Sequence, residues 1–183
     1  MSAPRLPIVA VLGSGTTAHD ARAAEVGAWL AGQGVHLLTG GGGGVMAAAS
    51  RAFFQAPSRR GLVIGVLPAA ALDDARPKPG YPNPWIEIPI ATHLPYSGQR
   101  GTDPLSRNHI NLLSADVAVF LPGGAGTASE ARLAVQYQRP GVAYLASRAE
   151  IPDLPPGFPV VASLAELQIF VREVLGRVTS ARG

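Results

Sequence analysis

Short apolar runs recur along the chain, several closed by glycine or proline and several followed by a stretch with helical spacing. Ile8 to Leu12 is an uninterrupted apolar run ending at Gly13, and an Ala-rich stretch from about Ala18 to Ala31 follows it as a helix. Val35 to Thr39 predicts a second strand, closed by the five glycines Gly40 to Gly44. Val45 to Ala56 then reads as a helix stopped before Pro57. Leu62 to Leu67 is a third strand. Trp85 to Ile90 predicts a fourth, near a sheet edge because Pro89 has no N–H for a ladder. Asp116 to Leu121, Val142 to Leu145 and the short Val160-Val161 complete the set.

Two further helices are marked by their start signals. Thr102 or Asp103 as N-cap, with Pro104 at the first helical position, predicts a helix to about Ser114. Ala125 to Gln138 predicts another, stopped before Pro140. Ser163-Leu-Ala-Glu166 is a capping box opening the last helix, which repeats Leu164, Leu167, Val171, Val174, Leu175 and Val178 on one face. The segment 68–84 is Pro-rich and reads as an irregular excursion.

The strands are apolar throughout rather than alternating, which is the pattern of a parallel sheet covered on both faces. The expected fold is α/β, a three-layer Rossmann-like, doubly wound parallel sheet of about six to seven strands with helices on both faces. A single domain over residues 1–183 is expected.

Composition narrows the function classes. Hydrophobic residues make up 47% and charged residues 15%, which suits a packed globular chain rather than a disordered one. No apolar run approaches the ~18 residues of a bilayer span, and the first residues lack a signal core. A cytoplasmic location and no membrane partner are expected. There is no Cys, and His19, His36, His93 and His109 are scattered, so no metal site is expected. The net charge of +3 rests on 14 Arg and the single Lys78, spread along the chain with Arg59-Arg60 the only adjacent pair. Nucleic acid is therefore not the expected partner. A small phosphorylated ligand is.

In such a sheet the ligand lies at the carboxyl ends of the strands, where three glycine loops fall. Gly13-Ser14-Gly15 follows the first strand, Gly41, Gly42 and Gly43 follow the second, and Gly123, Gly124, Gly126 and Thr127 follow the fifth. Glycines let backbone N–H groups approach an anion, and the next helix adds its N-terminal partial charge. Gly13-Ser-Gly15-Thr-Thr-Ala18 matches the dinucleotide fingerprint, but the second strand ends Leu38-Thr39-Gly40, without the acidic residue that holds a ribose. No Lys follows any glycine loop, so the Walker pattern fails too.

Thr127 and Glu130 also fit a capping box, as N-cap and N3. A helix feeding the fifth strand must run antiparallel to it, which puts Arg107 and Asn108 at the same sheet edge as the glycine loop. Ser14, Thr16, His109, Arg100 and His93 are secondary candidates there. Tyr81 and Trp85 flank the Pro-rich excursion and read first as its hydrophobic anchors. Lys78 falls in what reads as an exposed loop, which argues against a Schiff-base enzyme.

Pro122-Gly-Gly-Ala-Gly-Thr-Ala-Ser-Glu130, with Arg107 and Gly40 to Met46, resembles the LOG (LONELY GUY) superfamily, long misnamed lysine decarboxylases. The resemblance covers about Ile8 to Leu145 and implies a Rossmann-like homodimer. It further implies hydrolysis of the N-glycosidic bond of a nucleoside 5′-monophosphate, without a required cofactor. Arg107 and Glu130 would be the catalytic pair, and the glycine loop and Thr127 the phosphate binders. LOG enzymes usually carry Arg-Lys and two consecutive glutamates, where this chain has Arg107-Asn108 and Ser129-Glu130. Those departures are similar to a sister branch, the molybdenum cofactor carrier proteins, which hold a phosphorylated pterin without hydrolysing it. Three expectations follow: a phosphoribohydrolase first, a cofactor carrier second, and a DNA-associated module third.

Overall fold

β-Branched and small apolar residues set the strands, and glycine or proline directly follows the first three. A computed structural model describes residues 5–182. In chain order the elements are β1 (Ile8–Leu12), α1 (Asp20–Ala31), β2 (His36–Thr39), α2 (Gly44–Gln55), β3 (Val63–Leu67), β4 (Ala69–Ala71) and β5 (Asp74–Pro77). They continue with β6 (Ile88–Ala91), α3 (Asn108–Ser114), β7 (Val117–Phe120), α4 (Ala125–Gln136), β8 (Gly141–Tyr144), β9 (Val160–Val161) and α5 (Leu164–Arg182).

Seven strands form one sheet in the order β6-β3-β2-β1-β7-β8-β9, and every neighbouring pair is parallel. Strand residues alternate between two cores. Val9, Val11, Val117 and Val119 face α1, α2 and α5, through Leu30, Phe53 and Leu167 among others. Ala10, Leu12, Ala118 and Phe120 face α3, α4 and the 151–158 loop, through Leu112, Leu133 and Phe158. This is the doubly wound three-layer α/β architecture that the apolar strands require.

The edge position expected for the Pro89 strand holds, since β6 pairs only with β3. The capping box of α5 is formed: Glu166 N–H donates to Ser163 Oγ at 3.3 Å, and Ser163 N–H donates to the Glu166 carboxylate at 3.0 Å.

Three expectations are corrected. Residues 69–77 are not irregular but form the antiparallel hairpin β4–β5. Lys78 is not exposed; it is half-buried, and its Nζ donates to the Pro95 carbonyl at 2.8 Å. The helix expected from Pro104 begins only at Asn108. Asp103 uses its side chain to accept from Leu105 N–H at 2.9 Å and its carbonyl to accept from Ser106 N–H at 2.8 Å. That turn redirects the chain, and Arg107 becomes the N-cap of α3 rather than a residue one turn inside it.

Candidate functional site

The chain leaves β1 toward β2 and leaves β7 toward β8, so the loops after β1 and β7 part and open a crevice between them. Backbone hydrogen bonds fix its walls. Leu121 N–H donates to Leu12 O at 2.8 Å, Ser14 N–H donates to Pro122 O at 3.0 Å, and Val45 N–H donates to Ser14 O at 2.8 Å. One residue, Ser14, thus ties all three glycine loops together. Its Oγ also accepts from Thr17 N–H at 2.9 Å and Thr16 N–H at 3.3 Å, closing the loop after β1.

A cavity of about 390 Å³ fills the crevice. Of the expected residues, Gly13, Ser14, Gly15, Thr16, Tyr81, Arg107, Asn108, Gly124, Gly126, Thr127 and Glu130 line it. Gly41, Gly42, Gly43 and Gly123 lie outside its lining. Their backbone is used elsewhere. Asn83 binds the Gly41 carbonyl through N–H at 2.8 Å and the Gly42 carbonyl through Nδ2 at 2.9 Å. A Cβ on Gly42 would lie 2.7 Å from the Tyr81 ring, so that residue is the platform on which Tyr81 reaches the cavity. Gly123 N–H is turned away, donating to Glu150 O at 3.0 Å.

The capping box that Thr127 and Glu130 also fit is absent. The glycine loop starts α4 with Gly124 as N-cap and no side-chain cap, so Thr127 is the third residue of the helix. The first N–H groups of any helix have no partner within it. Here they belong to Ala125, Gly126 and Thr127, the last two lining the cavity, where an anion would be held by donors and helix dipole together.

Glu130 is free of the cap and turns to α3. Its Oε1 accepts from Asn111 Nδ2 at 3.1 Å and lies 3.7 Å from Arg107 Nη1. Arg107 is 5% exposed, and its guanidinium donates to Asn108 Oδ1 and, at 3.4 Å, to the Gly40 carbonyl. Arg107 Nε and Asn111 Oδ1 are buried with no partner. Burial pushes the Glu130 carboxyl above its ordinary range, opposed by the Arg107 charge and the Asn111 hydrogen bond. A guanidinium keeps its charge under all these conditions. Arg107 thus puts a guanidinium at the cavity wall, which suits a phosphate.

The secondary candidates divide. His109 is a packing residue, joined by Nδ1 to the Tyr137 hydroxyl at 2.6 Å and by Nε2 to the Asp103 carbonyl at 2.9 Å. Arg100 lies 3.4 Å over the Tyr96 ring and pairs with Asp103 at 3.0 Å, away from the cavity, and His93 is exposed and outside it too. Trp85 packs on Phe54 with ring centroids 5.7 Å apart. Sequence reasoning passed over Met46, Ser97 and Gly98 in the lining, and Asn111 behind it. Asn111 had a signal, because a residue four after Arg107 shares its helix face.

Among the described residues, no three His, Asp or Glu side chains gather as a metal site, and no helix is long and apolar enough to cross a membrane.

Fold and crevice together define a Rossmann-like protein of the LOG-like superfamily. Within it, the chain belongs to the SLOG cluster4 family, whose model matches residues 6–154. Among solved structures, the chain is similar to the molybdenum cofactor carrier protein of Chlamydomonas reinhardtii at 31% identity, with a TM-score of 0.72 and coverage of 94% of this chain and 99% of that one. It is similar to the molybdenum cofactor binding protein of Rippkaea orientalis at 28% identity, with a TM-score of 0.70 and the same coverage. DNA processing protein A of Helicobacter pylori shares the fold at 19% identity, with a TM-score of 0.68 and coverage of 92% of this chain and 81% of that one. No curated protein sequence matches the chain.

Proposed function

We infer that this protein binds a phosphorylated pterin of the molybdenum cofactor type as cargo and does not cleave it. The observation that carries this reading is the uncapped start of α4 facing Arg107 across a 390 Å³ cavity, in a chain similar over 94% of its length to a molybdenum cofactor carrier. Backbone N–H groups of Ala125, Gly126 and Thr127 hold the cargo phosphate, and Arg107 adds a fixed positive charge. Tyr81 offers a face for a ring system, and Met46 an apolar, polarisable wall.

Phosphoribohydrolase chemistry, the first expectation, draws on the same Arg107 and Glu130. It requires a charged carboxylate beside an oxocarbenium-like sugar. Glu130 is a weak candidate for that role: burial favours its neutral form, and Asn111 and Arg107 both crowd Oε1. The carrier reading asks of Glu130 only that it keep Arg107 in place.

The deciding experiment is purification from cells that make the cofactor, followed by oxidation and fluorimetry of the released pterin. About one pterin per chain is expected, with no free base released from AMP or isopentenyladenosine monophosphate. Base release lost in Glu130→Ala, from a protein that retains no pterin, would establish the hydrolase instead.

A further inference from the structure

The Pro122-Gly123-Gly124 loop has two sides, and the cavity described above uses one. On the other side lies a second cavity of about 350 Å³, lined by Ser14, Thr17, His19, Pro122, Gly123, Gly124, Ala149, Glu150 and Pro152. Ser14 and Gly124 belong to both cavities. A Cβ built on Gly124 would meet nothing within 4 Å, so there is open space beside this shared residue.

The chemistry of the second cavity differs from that of the first. Glu150 receives Arg22 Nη1 at 2.7 Å and Ala146 N–H at 2.8 Å. Both bonds fall on Oε2, the Ser147 backbone adds another hydrogen bond to the carboxylate, and 30% of the Glu150 side chain stays exposed. The Arg22 hydrogen bond holds this carboxyl below its ordinary range, so it is an anion at neutral pH. A second terminal phosphate would be repelled there. A neutral diol would not, because a carboxylate accepts from sugar hydroxyls as the acidic residue of a dinucleotide site does. Thr17 and His19 add a hydroxyl and an imidazole, and Pro122, Ala149 and Pro152 add apolar surface. The acid that the second strand lacks for a ribose is thus present on the opposite flank of the crevice.

We propose that the second cavity is a subsite for a nucleoside joined through a pyrophosphate to the group in the first cavity, so that the ligand class extends to dinucleotide forms. The linking phosphates cross beside Gly124, where the loop leaves open space. The proposal deepens the carrier reading, resting on the same α4 phosphate cradle, but it does not require that the first group be a pterin.

The test compares ligand pairs by calorimetry: AMP against ADP-ribose, and the phosphorylated pterin cofactor against its nucleotide-extended form. In the unaltered protein the longer member of at least one pair is expected to bind at least tenfold more tightly. Ala149→Trp fills the second cavity from an exposed position, and it should bring that ratio to about one while leaving the shorter ligand's affinity unchanged. His19→Gly suits the left-handed backbone there (φ 45°) and should weaken only the longer ligand, by threefold or more. Equal affinities within both pairs would overturn the subsite, as would an Ala149→Trp protein that weakens both members alike, or no binding of either pair. An ADP-ribose preference without any retained pterin would keep the subsite and sink the carrier reading.

Discussion

At the scale of single residues, Arg107 is held by what is missing from its neighbour. A Cβ on Gly40 would stand 2.3 Å from Arg107 Nη2, 2.8 Å from its Cζ and 2.9 Å from Met46 Sδ. Gly40→Ala should displace the guanidinium while leaving the sheet intact. A hydrogen bond to a charged group is worth about 1.5–3 kcal/mol, so phosphate-ligand affinity should fall by about ten- to a hundredfold with an unchanged circular dichroism spectrum. Unaltered affinity would remove Arg107 from the site. Arg107 and Glu130 were legible in the sequence because a glycine motif marks one and a rule about helix direction marks the other. Asn111 and Met46 were not, since each enters through packing that no short motif records. The capping-box alternative for Thr127 could not be dismissed from sequence, because the pattern Thr-x-x-Glu fits a capping box wherever it occurs. A glycine loop can begin a helix without one.

Elements were legible where hydrophobic period and stop signals agreed, as in β1, α1, β2 and α2, whose bounds lie within about two residues of expectation. They failed where proline carried two meanings. Pro104 marks the start of a helix in many chains, yet here Asp103 closes a turn around it and α3 starts later. The prolines of 68–84 suggested irregular structure, yet they flank a hairpin whose alanines carry weak strand signal. The capping box of α5 offers a test at this scale. Ser163→Ala should cost about 1 kcal/mol, lowering the melting temperature by about 2–4 °C. Hydrogen bonds from Ser163 and Ala162 hold the Glu166 carboxyl below its ordinary range. The folded-state value is lowered, so this contribution is present above the unfolded carboxylate pKa and fades as pH falls through the folded one. Urea denaturation between neutral and acid pH should therefore show a shallower acid slope for Glu166→Gln.

The whole molecule follows from strands that are apolar on both faces, and the position of the crevice follows from where their order reverses. Which loops actually meet in it did not follow, because that depends on long-range backbone bonds at the strand ends. Ligand that binds only the folded state stabilises it by about 2.7 kcal/mol at a hundred times Kd, so the thermal transition should rise with cargo concentration. If saturating cargo leaves it unmoved, the crevice is not the binding site. Ser14 adds a kinetic consequence. By joining the loops after β1, β2 and β7 through its own N–H and carbonyl, it fixes the shape of the cradle with backbone bonds that need no ligand. Little conformational freedom remains to be lost on capture, so amide exchange at Ser14 and Val45 should be slow before cargo arrives and nearly as slow afterwards. Release then requires no loop to unfold, as the proposed carrier role would need.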